Sequence, residues 1–468
     1  MIGFAEREWT VEMVREVRDQ LKAQADALRR EEYRTLLDFY EGGRAPLSDE
    51  YVKRHYREED DAWLARRVNL RGLNITRAIP ERIRDALYGR DVERTCEDPE
   101  LDEWLKSIYA ENHFDNIANQ IALEASILGS HLVGPYFDER LGRVAFRTRY
   151  LGDVYPWVSE QNADVLEALL VEVAIDDLFT GESFLRAEIY TPHETGIFTA
   201  ADARTSYWEL DRSFHPDGDI TNPYGVIPWV HFRGRCPAQS GDWFGLSDIR
   251  DVVEVNKFIN ELLSIADKNA HDQGWSQLVL INFPDDVEKV SVGTSKAIRT
   301  GEGGDAKYIV PDLKIGDFLA LIDRLYRWAY ESAMVPMAAI RTSEEARSGI
   351  ALEIELKPLL DLVAEREKRY RRSEIELMKL TLLVDAAHRE GRTFTPEEAR
   401  EFLSGVACDV RFKGGFLPED PSSELERDLK LLAAGLADPI DLVARYHGLS
   451  RADAERKLEE IRKNTATT

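Results

Sequence analysis

Cysteine is scarce: Cys96, Cys236 and Cys408 are the only three in 468 residues. They are odd in number, far apart in sequence and at no metal-ligand spacing. We therefore expect reduced thiols in a cytosolic assembly environment rather than metal ligands. Long apolar runs are missing too. No window reaches the roughly 18 uninterrupted apolar residues of a membrane span. The start, Met1-Ile2-Gly3-Phe4-Ala5-Glu6-Arg7-Glu8, lacks the basic stretch and apolar run of a signal peptide, so the expectation is a soluble protein. Positive charge is short: 61 Lys and Arg stand against 87 Asp and Glu, a net charge of −26. That excludes a protein whose task is to grip nucleic acid by neutralising phosphates, which needs clustered cations. It does not exclude one that DNA must pass without sticking.

Catalytic motifs are equally scarce. Gly301-Glu302-Gly303-Gly304-Asp305 lacks the lysine of a phosphate-cradling loop and carries the wrong charge for phosphate, so it reads as a hairpin tip. Gly245-Leu246-Ser247-Asp248-Ile249 lacks the second glycine of a nucleophile elbow and reads as a helix start, with Ser247 as N-cap. Asp217-Gly218-Asp219 lacks calcium-loop spacing and reads as a turn. His193-Glu194 and His388 have no partner at metalloprotease spacing. Acidic pairs such as Glu59-Asp60 and Glu344-Glu345 are abundant in so acidic a chain and do not by themselves mark acid–base catalysis. No cofactor is expected.

What is present is a 43% hydrophobic content, ample for folding, in a chain long enough for two to four packed units. Met13, Val17, Leu21 and Leu28 suggest one amphipathic helix from Trp9 to Tyr40, ending at Gly42-Gly43. Helical patterns recur over Leu64 to Gly89, interrupted by Pro80, and over Leu101 to Leu128. From His131 the period becomes 2. Leu132 to Phe137, Arg143 to Tyr150, Val165 to Ile175, Ser183 to Tyr190, Ser206 to Leu210 and Trp229 to Phe232 read as strands of an antiparallel meander.

The central stretch, Gly245 to Arg389, starts with a helix to about Ala270. Its apolar stripe is Val252, Val255, Ile259, Leu262 and Ala266; its polar stripe is Arg250, Glu254, Lys257, Glu261, Ser264 and Lys268. Short extended runs, Gln277 to Phe283 and Lys307 to Val310, predict a small β-rich insert. Helical spacing resumes at Asp317 with Phe318, Ile322, Leu325 and Ala329, stops near Pro336 and restarts at Gly349. Leu352, Leu356, Leu359, Val363, Tyr370, Leu377, Leu380 and Val384 then mark one face of a very long helix, with a kink expected at Pro358. Val410 to Phe416 reads as a further strand, followed by short charged helices over Ser423 to Gly435 and Pro439 to Lys463.

This order of elements, with several local strings, resembles the portal proteins of tailed bacteriophages. The strings are Tyr40-Glu41-Gly42, Arg67-Val68-Asn69-Leu70, Tyr88-Gly89, Leu128-Gly129-Ser130, Ile227 to Phe232, Gly245 to Asp248, Ser348 to Leu352 and Val410 to Asp420. No single string is specific, but their succession over about 400 residues is. Arg71 and Arg77 stand where that family is often apolar, and the insert from Gln277 to Asp312 is short.

The resemblance implies an α+β, elongated multi-domain portal fold assembling into a ring, usually of twelve copies, at one capsid vertex. Residues 1–245 would form a wing, 246–274 a stem helix, 275–316 a clip, 317–334 a second stem helix and 335–348 a tunnel loop. Residues 349–421 would be a long wing helix and strand, and 422–468 crown helices. Double-stranded DNA would pass non-specifically. The expected partners are the terminase large subunit, head-completion or adaptor proteins, and the major capsid and scaffolding proteins, with no membrane. Assembly in the host cytoplasm would precede residence in the virion. The site residues implied are Arg341, Thr342, Ser343, Glu344, Glu345 and Arg347 in the tunnel loop. Glu254, Lys257, Glu261 and Lys268 would face the channel; Asp285, Asp286, Glu288, Lys296 and Arg299 would dock partners on the clip. Twelve inner helices about 10 Å apart close a circle of radius near 19 Å, and subtracting a helix radius of about 5 Å leaves an opening of roughly 28 Å. A duplex about 20 Å across fits, and acidic walls would repel its phosphates. The alternatives are another virion protein, a minor head or adaptor component, and a hydrolase using a carboxylate pair in the 130–235 sheet.

Overall fold

The structure is a computed structural model. It describes residues 9–24, 27–56, 58–176, 183–200, 208–237, 242–273, 277–281, 303–309, 315–340, 349–413, 421–435, 437–447 and 454–459. Helices come first: α1 (Val11–Gln24), α2 (Ala27–Glu41), α3 (Asp60–Val68) and α4 (Ala78–Tyr88), then strand β1 (Val92–Cys96), α5 (Pro99–Glu111) and α6 (Phe114–Leu128). Strands β2 (Ser130–Asp138), β3 (Arg143–Arg149), β4 (Val154–Val158), β5 (Leu166–Asp176), β6 (Ser183–Tyr190), β7 (Thr195–Ala200), β8 (Glu209–Leu210) and β9 (Val230–Arg233) follow. After them come α7 (Arg250–Gln273), β10 (Gln277–Ile281), β11 (Asp305–Ile309), α8 (Ile315–Ser332), α9 (Gly349–Glu390), α10 (Pro396–Gly405), β12 (Cys408–Phe412), α11 (Pro421–Ala433) and α12 (Pro439–His447). The fold is α+β.

The chain forms two compact units, residues 1–342 with 356–412, and residues 343–355 with 413–468. In the second, the described elements beyond the first turns of α9 are α11, α12 and a helical stretch over 454–459.

In the first unit the expected single meander is two sheets, β3-β2-β9 and β4-β5-β6-β7-β8. β9 returns across about 90 residues to pair with β2, Ser130 opposite Arg233, so the short strands do not simply follow one another. β4 escapes a period-2 reading because Pro156 interrupts it. As the edge strand of its sheet, it tolerates the missing amide. The N-terminal helix of the sequence reading is two elements with different cores. Trp9, Val11 and Val14 pack with Leu170, Ile189 and Phe198 of the larger sheet. In α2 the buried positions are Tyr33, Leu36 and Phe39, and Leu28 is exposed. α5 and α10 begin where caps dictate: Asp98 accepts from the amides of Glu100 and Leu101, and Thr395 forms a capping box with Glu398.

The small insert is confirmed as a hairpin, β10 with β11, and α9 runs helical through Pro358. From Leu356 onward the predicted face of α9 is the buried one: Leu356, Leu359, Val363, Tyr370, Leu377, Leu380 and Val384 all lie inside.

Candidate functional site

Helices α7 and α8 flank the β10–β11 insert in the first unit, and a buried ion-pair cluster lies where α7 begins and α8 ends. Asp248 sits just before α7, its side chain fully buried. Both its oxygens accept from Nη2 of Arg366 on α9, at 2.9 and 2.8 Å. Oδ2 also accepts from the Ser126 hydroxyl on α6 at 2.5 Å, while the Asp248 amide donates to the Ser126 carbonyl. Arg235 Nε lies 2.8 Å from Oδ1, an ion pair not aligned as a hydrogen bond. The same guanidinium donates to the Ala333 carbonyl beyond the end of α8, so one cluster fixes both helix roots. Burial alone would lower the Arg366 pKa, but the Asp248 charge outweighs it and holds the guanidinium above its ordinary range.

Backbone closeness explains the glycines here. Gly129 ends α6 at φ +87°, and a Cβ on Gly245 would stand 2.0 Å from the Gly129 carbonyl oxygen. Ser247 differs from its expected role. Its hydroxyl accepts from the Ile249 amide in a turn upstream, and α7 starts at Arg250.

A second device binds the N-terminal region to α7. Residues 71–75 form an extended strap whose alternate amides meet side chains one helical turn apart: Arg71 to Ser264 Oγ (3.0 Å), Leu73 to Asn260 Oδ1 (2.9 Å) and Ile75 to Asn256 Oδ1 (3.2 Å). Asn256 and Ser264 return bonds to the carbonyls of Leu73 and Arg71. The match is metrical: two extended residues advance about 6.6 Å and four helical residues about 6.0 Å. The Tyr330 hydroxyl of α8 donates to the Ile75 carbonyl at 2.8 Å, so the strap spans both helices. Its periodicity put Ser264 in the wet stripe; the structure buries it beside Asn256 and Asn260.

On the other side of α7, about 200° around the helix from Asn260, Phe258 is 45% exposed. On α8, Trp328 is 55% exposed and Leu321 is also exposed, while Ile322, Ala329 and Tyr330 are buried. Among the described residues neither the Phe258 nor the Trp328 ring stacks on another. The α3–strap side is also apolar and open: Val68 is 83% exposed, and Leu64 and Leu73 are exposed.

The predicted channel residues separate. Glu254 is exposed and pairs with Lys257 at 2.7 Å, and Asp251 is exposed beside it. Lys257 leans back over the Phe39 and Tyr51 rings, 5.8 and 5.6 Å from their centres. Glu261 is half-buried and its charge supports Arg66; Lys268, also half-buried, acts on Glu58. The tunnel-loop residues Arg341, Thr342, Ser343, Glu344, Glu345 and Arg347 lie outside the described residues, as do Asp285, Asp286, Glu288, Lys296 and Arg299 of the clip.

A family model described as phage portal protein, SPP1 Gp6-like, matches residues 19–386 of the 468. This chain belongs to the phage portal protein family. No curated protein matches it. As a portal protein it is a ring-forming structural component of the virion at the capsid vertex, the passage through which DNA is packaged and ejected. Three of the strings that carried the resemblance meet in space: Leu128 to Ser130, Gly245 to Asp248 and Ile227 to Phe232 all border the start of α7. The Gly245 amide donates to Ser130 Oγ and the His231 carbonyl accepts from Ser373 of α9.

The hydrolase reading is not favoured, and the two buried carboxylates of the 130–235 sheets are engaged in ion pairs. Within the 130–235 sheets Glu188 accepts two bonds from Arg149, which with Arg147 outweighs the effect of burial and lowers its pKa. Glu172 pairs with Arg18. Both carboxylates are structural. Among the described residues no cluster of three His, Cys, Asp or Glu could hold a metal, and no helix is long and apolar enough to cross a membrane. Sequence reasoning missed Arg366, Arg235 and Asn260, since a charge or amide on a helix reads as solvated unless its partner is known.

Proposed function

We propose that twelve copies of this portal subunit close the ring through their stems, the Phe258–Leu321–Trp328 face of one copy packing on the Leu64–Val68–Leu73 face of the next. The observation that carries this reading is that exposed apolar side chains stand on two opposed sides of α7 and α8, Phe258, Leu321 and Trp328 on the helices themselves and Leu64, Val68 and Leu73 on the α3 and strap segment packed against them. A ring needs that arrangement, because a head-to-tail contact joins two different patches. The exposed carboxylates of Asp251 and Glu254 edge the first face. Arg67 and Arg71 edge the second, so the charges are complementary.

With the two apolar sides taken by neighbours, the polar edge of α7 between them, Glu254, Glu261 and Lys268, turns to the bore. There it repels phosphate and acts as a sleeve for double-stranded DNA. Lys257 is left out because it is held against α2. The β10–β11 insert, 275–316, is the clip on which the terminase large subunit and later the head-completion proteins dock through Asp285, Asp286, Glu288, Lys296 and Arg299. The 335–348 loop reaches the DNA with Arg341, Thr342, Ser343, Glu344, Glu345 and Arg347, and 422–468 is the crown. Residues 1–245 and 349–421 are the wing, toward major capsid and scaffolding proteins, and assembly takes place in the host cytoplasm.

End-on electron-microscope class averages of the purified chain test this. The expected result is a twelve-fold ring with a central opening, and for the Phe258→Glu/Trp328→Glu variant a monomer with an unchanged circular dichroism spectrum. A wild-type chain with no central aperture sinks the ring itself. Rings formed equally well by the double variant sink the stem contact.

A further inference from the structure

Strands β1 and β12 form an antiparallel ladder running from Val92 opposite Phe412 to Cys96 opposite Cys408. Just beyond its end the Glu97 amide donates to the Ala407 carbonyl at 2.9 Å. Residues 97 and 407 are therefore a hydrogen-bonded pair, and Cys96 opposite Cys408 is a non-hydrogen-bonded one, with Cα atoms about 4.5 Å apart. The Cys96 amide accordingly bonds elsewhere, to Asp102 Oδ1 at 2.8 Å. A disulfide bridges Cα atoms about 4.4–6.8 Å apart, so this register admits one without backbone movement. The two sulfurs already touch, Sγ to Sγ 2.9 Å. Cys96 is buried and Cys408 half-buried, while Cys236 is exposed.

We propose that Cys96 and Cys408 are an intrachain disulfide site, reduced when the chain is made and closed by a low-molecular-weight disulfide once the protein meets an oxidising medium. The Cys408 thiolate attacks the small disulfide, forming a mixed disulfide and releasing one small thiol. The Cys96 thiolate then attacks the Cys408 sulfur, forming the Cys96–Cys408 bond and releasing the second. The two electrons and two protons of the protein thiols end on the two small thiols. Burial pushes the Cys96 thiol up to about 12 and raises Cys408 as well, so closure is slow at neutral pH and accelerates as pH rises. The bond would span 312 residues of sequence and clamp the strand after which, at Lys413, the chain enters the second unit. It does not depend on how the ring closes.

The test uses the full-length Cys236→Ser chain, purified with reductant and then incubated with oxidised glutathione at mildly alkaline pH. Its two remaining thiols, counted with dithionitrobenzoate in denaturant, are expected to fall to none. Intact mass should drop by two hydrogens with no glutathione attached, and peptide mapping should join Cys96 to Cys408. A chain that further carries Cys96→Ser should instead retain glutathione on Cys408. Two persistent thiols, or glutathione left on Cys408 while Cys96 is present, would overturn the assignment.

Discussion

The α7–α8 hairpin has opposite character at its root and along its length. At its root, charged groups are buried and matched inside one chain: Arg366 and the Asp248 carboxylate are closed off from water and bonded to each other. Along its length, large apolar groups stand open, Phe258 and Trp328 among them. Each arrangement is costly taken alone. Burying ions costs several kcal/mol unless geometry compensates, and leaving large apolar groups half exposed forgoes about half of the roughly 1.5–3 kcal/mol that full burial brings each. The difference is between charges that one chain matches internally and apolar faces that the proposed ring contact would cover.

The sharpest way to break that contrast is at Asp248. Asp248→Ala strands Arg366 without its counter-ion, and the expected loss is about 3–5 kcal/mol of unfolding free energy by urea titration. The combined Asp248→Leu/Arg366→Met chain should recover most of it, since an apolar pair avoids the desolvation altogether. A single variant losing under about 1 kcal/mol would mean that the root is not sealed. Next in size is the strap. Asn260→Ala leaves the Leu73 amide and the Asn256 side-chain amide short of an acceptor, an expected cost of about 1–3 kcal/mol. Hydrogen exchange at Leu73 and Ile75 should rise with it. Protection unchanged at both amides would detach the strap from the stem's stability.

How much of this the sequence carried depends on the range of the interaction. The helices α7 and α8, the hairpin between them and the buried face of α9 were legible because each is a local periodicity: Ile259 and Leu262, or Leu377 and Leu380, declare a face by spacing alone. The break within the N-terminal helical region was not, since Leu28 keeps the helical spacing and yet lies outside. β1 was invisible because Val92-Glu93-Arg94-Thr95-Cys96 is largely polar and finds its partner only at 408–412. Glu374 likewise reads as a surface acid of a long helix until the fold places Arg94 and the Tyr88 hydroxyl around it, at 2.7 and 2.8 Å. The cysteines are the extreme case, distant in the sequence and touching in the fold. On α7, spacing put Lys257 in the polar stripe but could not show the rings of Phe39 and Tyr51 over which it is drawn, half-buried.

The last and smallest effect concerns how well the root excludes protons. His231, on β9 beside the root, accepts or donates at Ser130 Oγ (2.8 Å) and stacks on Trp243 at 3.8 Å. Burial first, then the charges of Arg233 and His131, push its pKa well below the usual histidine range. The folded state therefore holds this ring neutral while the unfolded chain takes up a proton below about pH 6.5. Stability contributed by the neutral ring is complete above that pH and falls as pH drops toward the folded value. Between about pH 6.5 and 5 the slope is at most about 1.4 kcal/mol per pH unit. Carboxylates with lowered pKa, such as Glu188, lose their contribution only further down, whereas His388, which burial also lowers, adds a slope of the same sign. The test is thus a difference: His231→Gln should flatten the wild-type acid slope measured by urea unfolding across that window, leaving the His388 share. Parallel slopes would show that protons reach the root freely, and the contrast between a sealed root and an open stem would lose its electrostatic half.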